Sequence, residues 1–167
     1  MKGLEEKIHY LTCPLHTNLK DNIIDYIRSQ GDRQNRGTNV QAYMTQWNTY
    51  NDDIRTIIDW IIEQIPTDRK LWSVDTWGAI YNKGDFTTIH HHNTAYSWVY
   101  FLQTPKGSSP LLFPISRKTI EPKEGYIIIF PGQMRHSVPP NNCDDRIVLA
   151  GNINEHNCIQ TPNDYHS

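Results

Sequence analysis

The chain has 167 residues, 37% of them hydrophobic and 20% charged, with a formal net charge of −2. This is enough for one domain with a real core, is too short for two comfortable ones, and reads as globular rather than disordered. The near-neutral charge gives no electrostatic case for a nucleic-acid or membrane partner.

Cys13, Cys143 and Cys158 are odd in number and widely scattered, with no C-x-x-C. Neither a disulfide framework nor a cysteine zinc site is expected, and a reducing, cytoplasmic compartment fits best. The first residues lack the apolar stretch of a signal peptide. The longest apolar run, around Tyr126 to Phe130, falls far short of a membrane span.

Taken in order, residues 7–11 suggest a short strand. A helix is expected to start at Thr17 or Asn18, either of which can cap free N–H groups. Leu19, Ile23, Ile24 and Ile27 recur at helical spacing, and Gly31 is the expected stop. Residues 32–49 are polar, with Tyr43 and Trp47 as isolated apolar points, and read as a long loop of the kind that covers binding sites. A second helix, capped by Asn51 or Asp52, carries Ile54, Ile57, Ile58, Ile61, Ile62 and Ile65 on one stripe and stops at Pro66.

From Leu71 onward the pattern changes to short strands: 71–81, 86–92, 95–103, 111–113, 118–121, 126–130, 136–138 and 146–152. Turn chemistry separates them, as at Asn82-Lys83-Gly84 and Pro122-Lys123-Glu124-Gly125. The expected fold is mainly β with flanking α-helices, a jelly roll. Residues 1–70 supply helical support, 71–153 the β core and 154–167 a polar tail, whose His156 and His166 are expected to be solvated.

One stretch carries chemistry. His90, His91 and His92 stand in a row near the end of a predicted strand. Side chains two apart share a face, so His90 and His92 can grip one ion while His91 turns away. His136, on another strand, can close the third corner. Three ligands on one side of an ion leave the other side open, the logic of facial-triad iron sites. A strand shifted by one residue brings His91 or Asn93 in instead.

Several weak motifs in order give a resemblance. They are Tyr81-Asn82-x-Gly84, His90-x-His92, Ser97-Trp98-Val99-Tyr100-Phe101-Leu102, Ile120-x-Pro122-x-x-Gly125-x-x-x-x-Phe130-Pro131, His136-x-Val138 and Arg146. Together they resemble the Fe(II)- and 2-oxoglutarate-dependent oxygenases, near the small bacterial and phage members related to prolyl hydroxylases. The resemblance implies a double-stranded β-helix, cupin-like, with His90, His92 and His136 holding Fe(II). It implies that Arg146 pairs with the far carboxylate of 2-oxoglutarate, which a guanidinium fork fits bidentately. Tyr81 and Asn82 are further candidates for co-substrate contact. Asn152, six residues after Arg146, has the parity to face the same pocket. The implied partners are 2-oxoglutarate, O2 and a protein or small-molecule substrate; a phage-encoded member acts in the host cytoplasm.

Two departures stand out. These oxygenases carry Asp or Glu where this chain has His92, and often a tyrosine where it has Phe101; Tyr100 is adjacent but faces the opposite way on a strand. The rival readings are a three-histidine cupin-like dioxygenase that does not use 2-oxoglutarate and a non-enzymatic jelly-roll binding module.

Overall fold

In a computed structural model, residues 7–32 and 38–156 are described. The strands are β1 (His9–Thr12), β2 (Val40–Gln41), β3 (Tyr43–Met44), β4 (Leu71–Tyr81), β5 (Phe86–His90), β6 (Tyr96–Gln103), β7 (Leu111–Phe113), β8 (Lys118–Ile120), β9 (Tyr126–Pro131), β10 (His136–Val138) and β11 (Arg146–Glu155), with helices α1 (His16–Gln30) and α2 (Asp52–Gln64). They build a six-stranded sheet, β1-β9-β6-β11-β4-β3, and a five-stranded sheet, β2-β5-β10-β7-β8. Every strand pairing in both is antiparallel. This is the jelly roll expected from the run of short strands.

The large sheet is buried on both faces. One face packs Ile80, Trp98, Tyr100 and Leu149 against Ile23, Ile27, Ile54, Ile57 and Ile61 of the two helices. The other packs Phe101, Ile128, Phe130 and Val148 against Leu111, Phe113 and Val138 of the small sheet. Two-sided burial explains why β9 and β11 read as near-continuous apolar runs. It also makes the interior between the sheets the place for a site.

Helix α2 follows the isoleucine stripe, with the Asn51 side chain accepting from the Ile54 N–H at 2.8 Å. Helix α1 departs from expectation at its start. It begins at His16 behind Leu15, with no side-chain cap, so Thr17 and Asn18 lie inside its first turn. Gly31 ends it as expected but in extended backbone; its missing Cβ makes room for the Tyr43 ring, which a Cβ would meet at 2.1 Å.

The expected loop 32–49 is also corrected. Within its described part, β2 and β3 pair with β5 and β4 and extend an edge of each sheet. Strand β5 stops at His90, two residues earlier than expected, and β11 runs on to Glu155. Asn154 therefore belongs to the sheet and not to a tail. His156 is exposed, while Cys158 and His166 lie outside the described residues.

Candidate metal centre

Strands β5 and β10 bring His90 and His136 directly opposite each other in the antiparallel register. His92 follows β5 and is fixed by its main-chain N–H, which donates to the Gly132 carbonyl at 2.8 Å. The three rings converge: centroids are 4.3 Å apart for His90 and His136, 4.9 Å for His90 and His92, and 5.4 Å for His92 and His136. One nitrogen from each lies within 4.8 Å of the others. His91, between two of them, is exposed and outside the group, and Asn93 is exposed as well. The two-residue periodicity thus holds although the strand ends before His92.

The donor set suits a divalent transition metal. His90 Nδ1 and His136 Nδ1 lie 2.8 Å from the carbonyls of Thr88 and Met134. A carbonyl only accepts, so both Nδ1 atoms carry the proton and both Nε2 lone pairs are free for an ion. That is the outer support typical of metal-bound histidine. Burial lowers all three pKa values, His92 to about 4 and His136 to about 3. The rings are neutral, the form a metal needs. Among the described residues no carboxylate joins the group.

An open cleft lined by His90 and His136 runs into the interior between the sheets. Its walls are apolar, including Val40, Leu111, Val138 and Val148, and Arg146 lines it as well. Arg146 is 1% exposed. Its Nε donates to the Ser109 carbonyl at 2.9 Å, and its guanidinium lies 4.7 Å from the Tyr81 ring and 5.7 Å from that of Phe101. No carboxylate pairs with it among the described residues. Burial pulls its pKa down, the sign of a buried cation short of negative charge.

Tyr81 lines the cleft, but its hydroxyl bonds Thr87 Oγ1 at 2.6 Å and its ring supports Arg146. Tyr100 faces the helices, where its hydroxyl meets His16 Nδ1 at 2.6 Å, and Phe101 stacks on Arg146 instead. Asn82 does not line the cleft. It points to the opposite face of β4, where Oδ1 accepts from the Asp145 N–H, beside a separate surface cavity with Arg28 and Tyr43. Asn152 is buried on the cleft side of β11 and hydrogen-bonds Ser97 and Asp75. Sequence reading missed the carbonyls of Thr88, Met134 and Ser109, whose main-chain atoms give no sequence signal. It also missed Trp77, whose ring lies 6.0 Å from that of His92.

No protein-family profile and no curated protein matches this sequence. Solved structures do. The viral collagen prolyl hydroxylase of Paramecium bursaria Chlorella virus 1, in its 2OG complex, aligns with a TM-score of 0.72 at 16% identity, over 88% of this chain and 95% of that one. A Pseudomonas putida prolyl-4-hydroxylase aligns at 0.68 and 15% identity, over 90% and 94%. An oxidoreductase of the 2OG-Fe(II) oxygenase family from Burkholderia pseudomallei aligns at 0.69 and 15% identity, over 92% and 86%. The chain therefore has the fold of these oxygenases.

Proposed function

We propose that this protein is an Fe(II)- and 2-oxoglutarate-dependent oxygenase that hydroxylates a C–H bond, on a prolyl or other residue of a protein. The observation that carries the reading is the pairing of two features in one cleft. Three neutral imidazoles converge at one place, and a buried guanidinium without an anionic partner among the described residues lines the same cleft. That pairing fits a chelating dicarboxylate, one end at a metal and the other on Arg146. The shared fold supports it, and fold likeness alone does not fix chemistry.

His90, His92 and His136 hold the ion in this reading. When bound, iron with 2-oxoglutarate and O2 supplies the oxidising power: the co-substrate becomes succinate and CO2 while C–H becomes C–OH. The chain's own part is positioning and exclusion of water. Thr88 and Met134 fix the tautomers. Tyr81 and Phe101 hold the guanidinium between two ring faces, Ser109 sets its rotation, and the apolar walls strengthen its attraction for a carboxylate by keeping water out.

A second reading rests on one observation, the absence of a carboxylate from the histidine group among the described residues. A cupin-like three-histidine dioxygenase needs no 2-oxoglutarate and has no use for Arg146. Thermal-shift titration with Mn(II), with and without 2-oxoglutarate, separates the two. A ligand at a hundredfold excess over Kd adds about 2.7 kcal/mol to native stability. Stabilisation of the Mn(II)-loaded wild type by 2-oxoglutarate, lost in Arg146→Met, supports the first reading. Stabilisation by metal alone supports the second.

A further inference from the structure

The inner face of the large sheet is ordered in rows across β4, β11 and β6. Ala79 pairs with Val148 and Val148 with Phe101; Trp77 pairs with Ala150 and Ala150 with Val99; Asp75 pairs with Asn152 and Asn152 with Ser97. Residues two apart on a strand share a face and are about 7 Å apart, so these are successive rows of one surface. Arg146 and Tyr81 begin the series at the buried end. Trp77, Val99 and Ala150 still line the cleft, and the Trp77 ring lies against His92. The row of Asp75 is the next one along the same face, on the side of the Trp77 row away from Arg146.

That row is polar and internally bonded. Asn152 Oδ1 accepts from the Ser97 hydroxyl at 2.6 Å, and Asn152 Nδ2 donates to Asp75 Oδ1 at 2.8 Å. Ser97 and Asn152 are buried, while Asp75 is half-buried. No lysine, arginine or histidine pairs with Asp75 among the described residues. Burial raises its carboxyl pKa against the pull of Asn152, so the group is short of positive charge. A solvated strand end needs no such arrangement. Here a buried amide, itself held by a buried serine, fixes a carboxylate one row beyond Trp77, and among the described residues its hydrogen-bond partners are the side chain and main chain of Asn152.

We propose that Asp75, oriented by Asn152 and Ser97, binds a cationic group of the substrate, an ammonium or guanidinium, and so selects basic substrates. This rests on the oxygenase reading above. The cleft is then bipolar: a guanidinium at one end takes the co-substrate's carboxylate, and a carboxylate at the other takes the substrate's cation. The two apolar rows between them keep the charges apart.

The test uses the full chain loaded with Mn(II) and 2-oxoglutarate. It titrates three peptides calorimetrically: acetyl-Gly-Pro-Lys-Pro-Gly-amide and its counterparts with norleucine or glutamate in place of lysine. The lysine peptide is expected to bind at least tenfold tighter than the other two. Asp75→Asn brings all three within threefold, and Asn152→Ala, which frees the carboxylate without removing it, also cuts the preference. Mn(II) and 2-oxoglutarate affinities stay at wild-type values in both variants. A lysine peptide that binds no better than the norleucine peptide, or not at all, overturns the proposal. So does a preference that survives Asp75→Asn, or a loss of Mn(II) affinity in that variant, which assigns the carboxylate to the metal. Failure of 2-oxoglutarate to bind the Mn(II)-loaded wild type sinks the oxygenase reading instead; the peptide comparison with Mn(II) alone still judges Asp75.

Discussion

His136 and His90 face each other across β10 and β5, and each gives its Nδ1 proton to the main-chain carbonyl two residues before it. The same local device on two strands presents two Nε2 atoms toward one point, and His92 supplies the third ring. Replacing any of the three by alanine is expected to weaken Mn(II) binding by a hundredfold or more, because two imidazoles leave the ion with too few protein ligands. His91→Ala, one residue from two of them, is expected to bind normally. Mn(II) electron paramagnetic resonance titration reads both. Normal binding by His136→Ala removes it from the centre.

The metal-free protein is expected to lose stability in mild acid. Burial holds the His92 pKa at about 4 and that of His136 at about 3, against an ordinary value of 6.5. Below pH 6.5 the unfolded chain takes up protons that the folded chain does not. Stability therefore falls as pH drops through 6.5, by up to about 1.4 kcal/mol per pH unit for each histidine, and is flat in these groups above it. Urea melts between pH 7.5 and 4.5 in the presence of a chelator measure the slope. His136→Phe is expected to flatten it; an unchanged slope assigns the acid sensitivity elsewhere.

Asn51 opens α2 and so sets how the isoleucine stripe meets the sheet. Its side chain satisfies the Ile54 N–H, and Asp52 and Asp53 follow in the first turn. Asn51→Ala is expected to cost about 1 kcal/mol. Ile57→Ala, at a fully buried position, is expected to cost about 2–5 kcal/mol. Both are read from chemical denaturation, and neither is expected to change Mn(II) affinity, since the helices lie on the far side of the large sheet.

Much of this was legible because local pattern and tertiary environment agree. The isoleucines of α2 and the short strands between turn signals mark themselves, and the parity of His90 and His92 survives the early end of β5. What escaped depends on pairing between distant segments. Strands β2 and β3 have two residues each, too few to show a period, and exist through their partners on β5 and β4. Helix α1 starts without a capping side chain, so Thr17 gave a misleading signal. Asn82 sits one residue beyond Tyr81 and therefore faces the other way, a parity that its place in a turn motif concealed. Asp75 carries no signal of its own inside the predicted strand 71–81; its meaning comes only from standing next to Asn152 in register.

Arg146 supplies the sharpest separation of stability from function. It is fully buried, with a single hydrogen bond, from Nε to Ser109, among the described residues. A buried charge without an ionic partner does little for the fold, and an apolar replacement of similar length is commonly neutral or stabilising. Arg146→Met is therefore expected to fold, with a melting temperature at or above wild type in the absence of ligand. Its loss is felt only when a carboxylate is there to be bound. Truncating one side of a buried charge pair costs about 2–5 kcal/mol, so 2-oxoglutarate affinity should fall by about 30-fold or more. Mn(II) affinity without co-substrate is expected to hold or rise, because the variant removes one positive charge from the cleft that receives the ion. Calorimetric titration of Mn(II) and then 2-oxoglutarate into both proteins gives each quantity. Equal 2-oxoglutarate affinity in the two would detach Arg146 from the co-substrate and leave the three-histidine dioxygenase as the better account of the cleft.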